Sequence, residues 1–184
     1  MSEARREPPC RACAPAAPAR RQACGSLAIA AALAATGLWP LRTARAADRM
    51  PEITLRASDG QPVLADGAPG RATYIDFWAS WCAPCKLSFP WMNEMHERLS
   101  GAGLRIVAVN LDRREADAQR FLQQTPARFA VAMDPAADTA RLLAIPTMPT
   151  SMLVAPDRRV LFMHRGFRLE DRADLERRLR GALG

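Results

Sequence analysis

From residue 53 onward, short apolar runs alternate with amphipathic stretches. Residues 53–57 and 61–64 read as short extended segments divided by the turn signal Ser58-Asp59-Gly60. Ala72–Trp78 (ATYIDFW) is rich in β-branched and aromatic residues and predicts a strand buried on both faces. Residues 82–99 predict a helix, with Leu87, Trp91, Met95 and Leu99 recurring at four-residue spacing and Phe89 and Met92 widening the stripe. Pro84 is tolerated in the first turn, whereas the interior Pro90 predicts a kink. Leu104–Asn110 reads as a second buried strand, 114–124 as a helix, 129–133 as a short strand and 138–143 as a helical turn. Segments 150–155 and 160–164 flank Pro156-Asp157-Arg158, which predicts an antiparallel hairpin. An amphipathic helix over 170–183, with Leu175 and Leu179 inward, closes the chain. Strands alternating with helices, then a hairpin and a last helix, imply an α/β sandwich around a mixed sheet.

The 184 residues suffice for one ordinary domain plus a tail. With 49% hydrophobic and 24% charged residues, the chain is neither disordered, collagen-like nor a polytopic membrane protein. A formal charge of +7 ordinarily suggests nucleic acid, but its distribution removes that reading. Residues 1–46 hold seven Arg against two Glu, net +5, which leaves +2 for residues 47–184. The first segment reads as a leader. An Arg- and Pro-rich start runs into an Ala-dominated apolar stretch over 23–41, and Ala44 and Ala46 fit a small-x-small cleavage site. The organisation implied is a signal peptide or N-terminal membrane anchor over 1–46 and one folded domain over 47–184. Weak apolarity favours cleavage after Ala46. The run is nearly long enough to cross ~30 Å of hydrocarbon, so the anchor reading stays open. Arg20-Arg21 leaves the export route open as well.

Of five cysteines, Cys10, Cys13 and Cys24 lie in the leader, and the domain keeps only Cys82 and Cys85. A single pair two residues apart is no structural framework. It sits in Trp81-Cys82-Ala83-Pro84-Cys85-Lys86, at the predicted strand-to-helix junction. Unpaired N–H groups and the helix dipole favour an anion there, so Cys82 is expected to hold thiolate charge better than a free thiol. Cys85, one turn further in, is close enough to form a disulfide with Cys82 yet better shielded. Cys82 is therefore the expected nucleophile, Cys85 the resolving thiol, and a mixed disulfide the intermediate.

The segment Asp76-Phe77-Trp78-Ala79-Ser80-Trp81-Cys82-Ala83-Pro84-Cys85-Lys86 resembles the active-site segment of thioredoxin-fold thiol–disulfide oxidoreductases. Met148-Pro149-Thr150 resembles that family's cis-proline loop, and Gly166 its late glycine. The leader and the extra segment 112–133 resemble the TlpA-like branch of exported bacterial members. The resemblance spans roughly residues 52–183. It implies a thioredoxin-like three-layer α/β sandwich with a central mixed sheet and an extra strand/helix insertion. It also implies that Pro149 pairs with the substrate backbone beside Met148 and Thr150, and that Trp81, Ala83 and Pro84 border the substrate. Asp76 matches the family's buried acid, expected to be raised in pKa by desolvation and to exchange protons with Cys85. The family's lysine beside this acid aligns with Ala108, which predicts a larger upward shift.

The resemblance further implies a periplasmic enzyme, soluble after cleavage or held at the inner membrane by 23–41. It would act without a cofactor on exported proteins with cysteine pairs, such as apocytochrome c or copper-site assembly proteins. An upstream membrane thiol donor would recharge it. The buried acid and the non-histidine pair Ala83-Pro84 argue for a reductase over a dithiol oxidase. A structural zinc needs four ligands, and the domain offers only His96 and His164 besides the pair, so no metal site is expected. A Cu(I) carrier using both thiolates remains the alternative. His96 and His164 have no evident partners, and Asp112, Arg113 and Arg114 read as turn residues.

Overall fold

In the computed structural model, residues 49–65 and 68–184 are described. The expected leader over 1–46 lies outside them. The elements in chain order are β1 (Thr54–Arg56), β2 (Pro62–Leu64), β3 (Ala72–Trp78), α1 (Ala83–Leu99), β4 (Leu104–Asn110), α2 (Glu115–Gln124), β5 (Ala130–Met133), α3 (Asp138–Leu142), β6 (Thr150–Val154), β7 (Val160–Arg165) and α4 (Arg172–Leu183). They form one seven-stranded mixed sheet in the order β2-β1-β5-β4-β3-β6-β7. β3, β4 and β5 run parallel, and β6 pairs antiparallel with both β3 and β7. This is the thioredoxin-like three-layer sandwich that the residue pattern and the resemblance implied.

The near-continuous apolar strands follow from their place in the sheet. β3 has a neighbour on each side and cover on both faces, so all seven of its residues are buried. On one face Tyr74, Trp78, Ile106 and Leu153 meet Phe89, Trp91, Met92 and Met95 of α1, Phe121 of α2, and Leu175 and Leu179 of α4. Phe89 is the centre of this layer, with ring centroids 4.6 Å from Trp78, 4.9 Å from Phe121 and 5.5 Å from Phe129. On the other face Ile75, Phe77, Val107, Val109 and Met152 pack against Ile53, Val63 and Ala140. Because β3-α1-β4-α2-β5 steps along the sheet in one direction, α1 and α2 fall on the same face, as right-handed crossovers require.

α1 runs on through Pro90, as the expected helix over 82–99 requires. Pro90 and Lys86 are both exposed, so the carbonyl that Pro90 cannot bond is left to water. The last helix begins at Arg172, because a 3-10 turn over Leu169–Asp171 precedes it, with the Arg168 N–H donating to Asp171 Oδ2 at 2.9 Å. At the turn end of the β6–β7 hairpin, Met50 N donates to the Arg158 carbonyl at 2.8 Å and Arg49 bridges to Arg159. Among the described residues, no helix is long and apolar enough to cross a membrane.

Candidate active site

β3 ends at Trp78, and Ala79-Ser80-Trp81 leads to Cys82, which caps α1 in an extended conformation (φ −82°, ψ 107°). Cys82 N donates to the Ala79 carbonyl at 3.1 Å, which turns the chain into the helix. Pro84 falls in the first turn, where no N–H is needed, and that turn holds no acidic side chain. The positive end of the helix dipole therefore acts on the Cys82 sulfur with no acidic side chain of the first turn opposing it. Cys82 and Cys85 form a disulfide, their Cα atoms 5.3 Å apart. Cys85 is sealed, Cys82 is 5% exposed, and the neighbouring Trp81 is 68% exposed. Of the two sulfurs, the one that begins the helix lies nearer the surface, which is the asymmetry that directional thiol exchange needs.

Asp76, 1% exposed on β3, lies on the same face as Tyr74 and Trp78, whose cluster includes both cysteines. The sheet register sets Ala108 of β4 on one side of it and Ser151 of β6 on the other. Ser151 Oγ donates to Asp76 Oδ1 at 2.6 Å, while Oδ2 has no hydrogen-bond partner. Burial raises the Asp76 pKa to about 7, opposed only by that hydrogen bond. Tyr74 is pushed far above the usual tyrosine range, by burial first and by the nearby Asp76 charge second.

A second carboxylate holds the loop before Cys82. Asp112 is 4% exposed, and its Oδ2 accepts from Ser80 N at 2.9 Å and Asn110 Nδ2 at 2.8 Å. Its Oδ1 accepts from Ser80 Oγ at 3.1 Å, and its own N–H donates to Asn110 Oδ1 at 3.0 Å. Leu111 N adds a bond to the Trp78 carbonyl at 2.9 Å. The end of β4 thereby ties down the segment that presents the disulfide.

The Met148–Pro149 peptide is cis. Pro149 is buried, and its carbonyl accepts from Gly166 N at 2.7 Å. Gly166 has φ 80°, a conformation that disfavours side chains, which accounts for glycine at this position. Met148 packs against the cluster that includes both cysteines. Two hollows share Leu111: one of about 390 Å³ bordered by Trp81, Asp112, Arg113 and Arg114, and one of about 300 Å³ bordered by Met148, Thr147, Ile145 and Arg141.

A family model described as Redoxin matches residues 45–179. The chain belongs to the Redoxin family. Among solved structures, a putative thiol:disulfide interchange protein DsbE from Chlorobium tepidum is 45% identical, with TM-score 0.72, over 74% of this chain and 96% of that one. Among curated relatives, the thiol-disulfide oxidoreductase ResA of Bacillus thuringiensis subsp. konkukian is 26% identical over 111 residues, 60% of this chain and 64% of that protein. ResA of Oceanobacillus iheyensis is 30% identical over 117 residues, 61% of each chain. The chain thus spans less than two thirds of the length of these curated relatives.

In this Redoxin domain, Asp76, Cys82, Cys85, Trp81, Met148 and Pro149 gather at the carboxyl end of the parallel strands. Ala83 is exposed and Pro84 half-buried beside the disulfide. Thr150 is buried and its hydroxyl donates to the Thr147 carbonyl at 2.7 Å, so the side chain braces the loop. Two neighbours escaped sequence reasoning. Asp112 is a clamp as well as a connection, and an Asn-x-Asp leaving a buried strand was the available signal. Ser151 could be found only from the register that sets it beside Asp76. Away from the site, His164 Nε2 lies 3.4 Å from Asp171, a partner the sequence did not suggest, and His96 stands edge-on to Phe129. Among the described residues, no cluster of three or more His, Cys, Asp or Glu could hold a metal ion.

Proposed function

We propose that the protein is an exported thiol–disulfide oxidoreductase that reduces cysteine pairs in other exported proteins. The observation that carries this reading is the Cys82–Cys85 disulfide at the start of α1, with the inner sulfur sealed and a buried acid on the sheet face its cluster covers. In the dithiol state, the Cys82 thiolate attacks the partner's disulfide. A Cys82–partner bond forms and one partner thiolate leaves. Cys85 then gives its proton to the Asp76 carboxylate and attacks the Cys82 sulfur. The internal disulfide closes, the second partner thiolate leaves, and two electrons have passed to the partner. Pro149, with Met148 and Thr150 beside it, borders the partner's extended segment on one side of Cys82. Trp81, Ala83 and Pro84 border it on the other. The names of the relatives, a thiol-disulfide oxidoreductase and a thiol:disulfide interchange protein, support the reaction class.

Direction and setting belong to the same proposal. An acid that accepts a proton near neutrality, and a first turn without histidine, favour release of electrons to the partner. The partners would be apocytochrome c or copper-site assembly proteins, with an upstream membrane thiol as donor. Residues 1–46 would act as signal or anchor and 47–184 as the periplasmic domain. Equilibration with glutathione tests the direction. A potential nearer the thioredoxin value of about −270 mV than the periplasmic oxidant value of about −120 mV is expected. A value close to the latter, or failure to accelerate insulin reduction by a dithiol, overturns the proposal.

A further inference from the structure

Among the described residues, Asp76 is the acid that β3 buries on the sheet face covered by the cluster holding both cysteines, and it has no cationic neighbour to hold it in place. Every element packed around it bears this out. β4 presents Ile106 and Ala108, β6 presents Ser151 and Leu153, β3 presents Tyr74, and α1 presents Cys85. Tyr74 stays protonated at any ordinary pH, so apart from Asp76 the thiol is the one group in this set that loses a proton during exchange. The polar contact that orients the carboxyl is the 2.6 Å bond from Ser151 Oγ to Oδ1. Ser151 is itself buried and also shares a side-chain hydrogen bond with Tyr74, which restrains its hydroxyl.

We propose that Ser151 is a positioning residue for proton exchange: by occupying Asp76 Oδ1, it assigns the exchangeable proton to Oδ2. The assignment follows from the donor count. Tyr74 keeps its proton and can donate it to Ser151 Oγ, so the single Ser151 proton goes to Oδ1 and a neutral carboxyl carries its own proton on the other oxygen. Oδ2 is buried and has no partner of its own, which leaves it free to take a proton when the internal thiol opens. A lysine on the β4 side would hold the carboxylate by charge. Ser151 on the β6 side holds it by geometry and leaves the group able to become neutral.

The inference rests on the oxidoreductase reading. In the resolving step, Cys85 S–H passes its proton to Asp76 Oδ2. The Cys85 sulfur bonds to the Cys82 sulfur, and the Cys82–partner bond breaks with its electron pair leaving on the partner thiolate. Without the Ser151 hydroxyl the carboxylate loses its one stabilising hydrogen bond, so its proton affinity rises.

Two readouts test this, one of which needs no activity. In the oxidised protein, carboxyl carbon NMR should find the Asp76 midpoint raised by about one pH unit in Ser151→Ala, since a hydrogen bond to a charged group accounts for a shift of that order. In single-turnover reduction of a model disulfide, the alkaline-favoured limb for resolution should move up with it. A one-unit rise from about 7 slows the step about fivefold at pH 7 and not at pH 9. Ser151→Thr, which keeps the hydroxyl, should restore the midpoint, and Ser151→Ala in an Asp76→Asn background should shift nothing further. An unmoved carboxyl midpoint overturns the inference, as does a moved midpoint with an unmoved rate profile. A midpoint that moves in Ser151→Ala, with a wild-type protein that exchanges no disulfides, keeps Ser151 as the partner of Asp76 and overturns the oxidoreductase reading instead.

Discussion

Replacing Asp112 separates a structural clamp from an ordinary connection. In Asp112→Ala the buried Asn110 amide loses its acceptor, and the half-buried Ser80 N–H and hydroxyl lose theirs. A buried donor left unpaired costs about 1–3 kcal/mol. Water can reach Ser80, so Asn110 contributes most, and deleting the carboxylate also relieves its own desolvation. The balance is a loss of about 3 kcal/mol, or about 12 °C in Tm for a domain of this size. Asp112→Asn should behave differently. Its side-chain oxygen can take the Oδ2 position and accept from both Ser80 N and Asn110. The NH2 then faces the Ser80 hydroxyl, which can rotate from donor to acceptor. A loss of no more than about 1 kcal/mol is expected. Urea unfolding of the oxidised variants measures both. The Cys82–Cys85 potential of Asp112→Ala should also move, because the loop carrying the disulfide is released. Equal destabilisation by Ala and Asn, or an alanine variant within 0.5 kcal/mol of wild type by the yardstick for surface changes, refutes the clamp.

The raised Asp76 pKa has a thermodynamic sign. Its folded value of about 7 lies above the ordinary 3.8, so the folded state binds this proton more tightly. Its contribution is therefore fully favourable below pH 3.8, declines through the window up to 7, and is lost above it. Asp76→Asn, always neutral, should be more stable than wild type by about 2–4 kcal/mol at pH 8 and indistinguishable near pH 4 in thermal unfolding. No pH dependence in that difference removes the buried-acid argument. Cys85→Ser should capture partners as mixed disulfides on Cys82, while Cys82→Ser should capture none on non-reducing gels. Asp134, whose carboxylate accepts from the N–H groups of Asp138, Thr139 and Ala140, caps the short α3. Asp134→Ala should lower stability by about 1–2 kcal/mol in chemical unfolding and leave disulfide exchange chemistry intact.

Which parts of the molecule could be read from the chain follows from whether the responsible pattern is local. β3 and β4 coincide with their apolar runs because strands buried on both faces carry no polar alternation to confuse their limits. The helix start at Cys82 was readable for a different reason: Pro84 and Trp81-Cys82 mark it in adjacent residues. The mixed sheet followed from the hairpin around Asp157. What escaped were relations between distant residues. Ser151 reaches Asp76 across 75 positions, and Asp112 reaches Ser80 across 32. Ser151 carries no local signal, and Asp112 carries only the Asn-x-Asp that leaves a buried strand. Each acquires its role from the register of β6 on β3, or from the placement of β4's end beside β3's end, and single-chain periodicity carries no information on either. The 3-10 turn before α4 was hidden likewise, because Asp171 continues the amphipathic pattern while capping it.

The anchorage of Met50 on Arg158 has a consequence for how the domain can be presented. β6 starts at Thr150 beside the reactive pole and runs five residues, about 17 Å, toward the turn where Met50 is fastened. Any leash leaving through Arg49 therefore departs from the pole opposite the disulfide. A tag or support joined to the domain at Arg49 would sit at the far pole and leave the end carrying Trp81 and Cys82 open to approach.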